Sequence, residues 1–148
     1  MSKTTLEPIK ILASFLECDP EELHEESHDH YGLAVFSLGN QDYAIGTDEE
    51  CNRACVSYCR DSVWAFNASF ILSECELPYQ LEEAIQAFQS EECESANDAL
   101  LALVEKCCKG GIEEFTRSAI SADGRGHFLS PYDGNENEAD DLYVYRLN

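Results

Sequence analysis

The chain has 148 residues, 44% apolar and 10% aromatic, enough to bury one sizeable core, and it reads as a single domain spanning 1–148. Nine Lys and Arg against thirty Asp and Glu give a formal charge of −21, with no basic residue from Ile11 to Asn52 or from Asp61 to Glu105. A surface of that sign repels phosphate, which argues against direct binding to nucleic acid or anionic lipid and leaves basic proteins or cations as the partners it attracts.

The opening MSKTTLEPIKILASF lacks the apolar core of a secretory leader, and no stretch reaches the roughly 18 apolar residues of a membrane span. The expected compartment is therefore the cytoplasm, with the eight cysteines as reduced thiols and not a disulfide framework. Leu6, Ile9, Leu12, Ala13 and Leu16 recur at helical spacing and predict an amphipathic helix over 5–17. Asp19-Pro20-Glu21-Glu22 restarts a helical turn, with Asp19 as N-cap, Pro20 first inside and Glu22 three beyond the cap. The polar HEESHDHYG that follows reads as irregular, so residues 1–30 form an N-terminal helical segment.

Leu33–Leu38 and Tyr43–Gly46 are β-prone runs around Gly39-Asn40-Gln41-Asp42, whose Gly-Asn is the signal of a β-hairpin. Thr47 and Glu50 match a capping box and open a helix over about 48–63, with Cys51, Ala54, Cys55, Tyr58, Cys59, Ser62 and Val63 at the helical period. Trp64–Leu72, with one Trp and two Phe, is expected to anchor the core, either continuing that helix with a kink near Asn67 or restarting there. Further helices are predicted at Leu81–Phe88, at Asn97–Lys106 with Gly110-Gly111 as its stop, and at Ile112–Ile120. Gly124, Gly126 and Gly134 with Pro131 point to a shaped loop, and Tyr143-Val144-Tyr145-Arg146 alternates as a closing strand. The fold class is then α+β: mostly helical, with a small antiparallel sheet made of the hairpin at 31–46 and a C-terminal strand at 142–147.

Several residue sets could carry chemistry. Cys51, Cys55 and Cys59 stand at i, i+4, i+8 on one helix face, where they serve either as thiolate ligands or as small buried apolar residues; no C-x-x-C is present. His24-Glu25-Glu26-Ser27-His28 is a literal H-E-x-x-H, without an apolar helical face around it or a third ligand downstream. Asp133, Asn135 and Asn137 occupy the first oxygen positions of a calcium loop that lacks its sixth-position glycine and twelfth-position glutamate. Arg125, His127 and Asp133 on the glycine segment could form an acid–base or anion site; the alternative is that Arg125 pairs with a carboxylate and His127 packs beneath the loop. No residue is assigned a catalytic or metal-ligating role, and no cofactor is expected. The residues assigned to partner binding are the acids at helical spacings: Glu21, Glu22, Glu25, Glu26, Glu82, Glu83, Glu91, Glu92 and Glu94.

TDEECNRACVSYCRDSVWAFNASFIL at 47–72, ESANDALLALVEKC at 94–107 and DGRGHFLSPYDGNENEADDLYVYRLN at 123–148 together resemble a group of small uncharacterised proteins of tailed bacteriophages. The resemblance spans about residues 30–148, most specifically in the final block, and departs from the group at Cys51, Cys55, Cys59 and Cys75. It implies a phage accessory protein in the bacterial host's cytoplasm; taken with the charge of −21 and the two windows free of Lys and Arg, the expected role is to bind and modulate a host protein, as an anti-defence inhibitor or a nucleic-acid mimic in a basic cleft. A metal-binding or small catalytic domain built on 124–134, and a phage structural or assembly component, stand as alternatives.

Overall fold

A computed structural model describes residues 7–148, and its fold class is α+β. It divides into two units: the described residues of Met1–Cys55 together with Asp123–Asn148, and Val56–Ala122.

The first unit is built on a five-stranded antiparallel sheet in the order β1-β2-β3-β5-β4, from β1 (His24–Glu25), β2 (Ala34–Leu38), β3 (Gln41–Thr47), β4 (Asn137–Ala139) and β5 (Leu142–Arg146). The hairpin of β2 and β3 turns more tightly than 39–42: Leu38 pairs with Gln41, leaving Gly39 at φ +62° in the first turn position, where a primed turn wants glycine. The closing strand joins it as expected, with Ala44 opposite Tyr145 and Ile45 opposite Val144. Helix α1 (Pro8–Leu16) covers one sheet face, where Ile11, Leu12 and Ala13 meet Phe36, Tyr43, Ile45, Leu142 and Val144. Thr5 and Leu6 of the helix expected at 5–17 lie outside the described residues. The opposite face carries Val35, Ala44 and Tyr145, also buried, so β3 is apolar on both sides and reads as a continuous run instead of an alternation.

Two expectations in this unit are corrected. The segment 24–32 is not wholly irregular and 1–30 is not purely helical: β1 pairs with β2, residues 26–29 are irregular as expected, and Tyr31 (φ +53°) and Gly32 (φ +92°) form a two-residue turn closed by His30 and Leu33. Two strand residues with exposed side chains carry no periodicity, and the backbone ladder alone places them. The segment 124–134 is not wholly loop either, since Arg125–Leu129 forms a short helix, α7, after Gly124 (φ +85°) stops the preceding one. Gly126 lies inside α7 where a Cβ would sit 2.7 Å from the Asn135 carbonyl carbon and 2.8 Å from the Glu136 amide nitrogen. Glycine is there for close backbone approach.

α2 (Asp48–Ser62) begins in the first unit with the expected capping box: Thr47 N–H donates to Glu50 Oε1 at 2.9 Å, and Glu50 N–H to Thr47 Oγ1 at 3.1 Å. Within the second unit the chain breaks after Ala65 and restarts as α3 (Ala68–Glu74), followed by α4 (Glu82–Glu92), α5 (Asn97–Cys107) and α6 (Gly111–Asp123), the last ending at the first unit's boundary. Trp64 is only half-buried and does not anchor the core; Val63, Ile71, Leu100, Val104, Ile112 and Phe115 do. Phe115 meets Phe66 and Phe70 edge-on, at centroid separations of 5.1 and 5.2 Å. Asn97 ties the start of α5 to the end of α2 and the turn after it, accepting from Trp64 N–H at 3.2 Å and donating to the Arg60 carbonyl at 2.7 Å. α4 buries no side chain fully, and Leu81, expected on its inner face, is exposed.

Candidate functional site

In the first unit the glycine segment is organised by Arg125, whose side chain is 8% exposed. Its Nε donates to Glu136 Oε1 at 2.7 Å, and its Nη1 to Asp48 Oδ1 at 2.8 Å, the Asp48 carbonyl at 3.1 Å and Asn52 Oδ1 at 3.1 Å. The ring of Tyr143 lies 4.6 Å from the guanidinium carbon, a cation–π contact. Burial alone would lower the arginine's pKa, but the Glu136 bond, with Tyr145 and Asp48 nearby, outweighs it and raises the value above the ordinary one. Tyr145 donates its hydroxyl to Glu136 and also meets the Cys51 thiol; burial, then those two bonds, push its pKa up. This arginine ties the start of α2, α7 and the approach to β4 together. Arg125 is thus paired with carboxylates, the structural one of the two roles open to it.

Neither His127 nor Asp133 joins it. His127 is exposed, with its ring edge-on to Phe128 at 5.0 Å. Asp133 is exposed and accepts from Asn135 N–H at 3.0 Å and Ser130 Oγ at 2.9 Å; these bonds hold its pKa below the usual carboxylate value. The loop site assembled from Arg125, His127 and Asp133 is therefore not formed. Asn137 and Glu138 of the calcium-like run lie in β4, an extended strand that cannot wrap an ion as a loop does.

The other sets fall apart similarly. His24 lies in β1 and His28 beyond it, so H-E-x-x-H is not on a helix. Cys51, Cys55 and Cys59 are buried in α2; no disulfide forms among the eight cysteines, and burial pushes Cys51 up and Cys59 up to about 11. Among the described residues no group of three His, Cys, Asp or Glu converges to hold a metal ion. His30, the third histidine of the 24–30 cluster, is engaged elsewhere: its Nε2 donates to the Leu129 carbonyl at 2.8 Å, and burial lowers its pKa although that bond opposes the shift.

The acids assigned to partner binding do not share a helical face. Glu21 and Glu22 sit on a 3₁₀ turn, Glu25 on β1, and Glu26 beyond it, where it accepts from Ser37 Oγ at 2.7 Å. Glu82, Glu83, Glu91 and Glu92 lie on α4, and Glu94 on the 3₁₀ turn after it. At about 100° per residue, Glu91 is diametrically opposite Glu82, and Glu92 opposite Glu83. What the acids share is the lack of a cationic partner: among the described residues only Asp48, Glu105, Glu114 and Glu136 enter ion pairs, and all nine but the half-buried Glu26 and Glu82 are exposed.

The second unit has a cleft of about 590 Å³ that sequence reasoning missed, between Trp64–Ser69 and the Glu82, Gln86, Gln89 and Ser90 side of α4. Gln89 Nε2 donates to the carbonyls of Trp64 at 3.0 Å and Phe66 at 2.6 Å. The available signal was Glu82, Gln86 and Gln89 at i, i+4, i+7, a polar stripe opposite an aromatic run.

No protein-family model matches the chain, and no curated protein or solved structure matches it either. Among the described residues no helix is long and apolar enough to cross a membrane.

Proposed function

We propose that the protein is a non-enzymatic phage accessory protein that binds and modulates a basic host protein, one that handles nucleic acid. The observation that carries this reading is the unpaired acidity: thirty acids against nine basic residues, with four carboxylates in ion pairs among the described residues. Uncompensated carboxylates of that number raise the negative potential over the surface and steer a basic partner. Because the acids sit on turns, a strand edge and both sides of α4, the reading rests on charge density and not on duplex-like spacing. Phage origin rests on the resemblance of 47–72, 94–107 and 123–148.

The test is affinity capture from nuclease-treated bacterial lysate, followed by titration of the purified captured protein with and without its own nucleic acid. One nucleic-acid-handling protein, released as salt rises and displaced by its nucleic acid, is the expected result. Capture of basic proteins in general, with no competition by nucleic acid, would overturn the reading.

A further inference from the structure

The cleft of the second unit has a chemistry of its own. One wall is Trp64–Ser69, with the half-buried rings of Trp64 and Phe66; the other is the polar stripe of α4. Both hydrogen-bond partners of the Gln89 amide nitrogen are carbonyls, which fixes its orientation and leaves Oε1 as an acceptor. Glu82 enters no ion pair among the described residues and supplies a carboxylate to the same wall. No Lys or Arg occurs anywhere from Asp61 to Glu105, so the cleft contains no cation of its own. α4 therefore presents carboxylate and amide acceptors across from aromatic rings, and buries none of its side chains fully.

From this complementarity we infer that the cleft seats an arginine side chain of the basic partner. A guanidinium is flat enough to lie on the Trp64 ring, and its five N–H donors match several acceptors at once, where a lysine ammonium offers a compact point charge. Charge-assisted bonds to Glu82 orient it, and Gln86 and Gln89 provide further acceptors. The inference rests on the reading of the protein as a binder of a basic partner, and adds where that partner is gripped.

Trp64 is the chain's one tryptophan, so its emission reports on the cleft directly. The experiment titrates the full chain with a short capped peptide carrying two arginines, and with its lysine counterpart, following Trp64 fluorescence and binding heat in parallel. The expected result is a saturable change in emission, tighter binding of the arginine peptide, and about tenfold weaker binding in Glu82→Gln, the loss of one charge-assisted bond. Glu113→Gln, the same charge change on an exposed residue of α6 outside the cleft, should leave affinity within about twofold. Binding heat without any emission change, or equal weakening by both variants, overturns the cleft as the seat and leaves charge-driven binding standing. Absence of both emission change and binding heat at low salt overturns the cleft as an arginine seat, while the reading of the protein as a binder of a basic partner stands or falls with the lysate capture. Circular dichroism of each variant confirms that it is folded before it is titrated.

Discussion

Arg125 Nε donates to Glu136 Oε1 at 2.7 Å, with the arginine side chain 8% exposed and the glutamate side chain 29% exposed. In a chain with thirty acids, this arginine is held inside by two of them, Glu136 and Asp48. Its replacement has a defined consequence. Arg125→Met leaves the partly buried Glu136 side chain, and the fully buried Tyr145 bonded to it, without a cation, at a cost of about 2–3 kcal/mol, below the full range for a buried pair because both carboxylates reach solvent. Arg125→Lys keeps the charge but cannot reach Glu136 and Asp48 together, and should lose less. Urea unfolding of the three proteins checks the order.

Gly126 and Gly124 separate two reasons for glycine. At Gly126 an added Cβ meets the backbone of 134–136, which cannot swing aside, so Gly126→Ala should cost roughly 3 kcal/mol or more. At Gly124 the space is open, but φ +85° with ψ +154° is backbone that only glycine adopts readily, so Gly124→Ala should cost about 2–3 kcal/mol through backbone strain alone. A Gly126→Ala protein that melts like the parent in thermal denaturation would contradict the packing account of Gly126.

His30 makes acid stability testable. Its pKa in the folded protein is lowered, chiefly by burial, so the unfolded chain takes up its proton first as pH falls. The contribution of His30 is therefore complete above about pH 6.5, the unfolded value, and is lost as pH falls through the lower folded one. His30→Gln, which retains a donor for the Leu129 carbonyl, should flatten the decline in stability between neutral and mildly acid pH. Parallel chemical denaturation curves across that window provide the measurement.

The thiols divide by burial. Cys93 and Cys107 are exposed, whereas burial pushes Cys59 and Cys75 each up to about 11, leaving about one thiolate in a thousand at pH 8. A chromogenic disulfide reagent should react quickly with Cys93 and Cys107, while Cys51, Cys55, Cys59, Cys75 and Cys108 wait for unfolding. Fast native reaction at Cys59 or Cys75, read by peptide mapping, would contradict their burial.

Local chemistry was legible wherever it decides structure by itself. The Thr47–Glu50 box, the Gly39 turn, the helix stop before Gly110 and the alternating 143–146 strand each depend on residues a few positions apart, and each is where the residues placed it. The α+β class followed from them, as did the net charge with its two basic-free windows.

Pairings between distant positions were decided only in three dimensions. β1 exists because the β2 backbone offers it a ladder, although its own two residues carry no pattern. The Arg125 tie needed Asp48, 77 positions away, and the contact of His30 with Leu129 spans 99. Glu82 and Glu91, which look alike in the sequence, point to opposite sides of α4, so only one of them lines the cleft beside Trp64. Short-range propensity acts through neighbours along the chain, whereas burial and close approach depend on what the fold brings alongside, and that information is spread over the whole sequence.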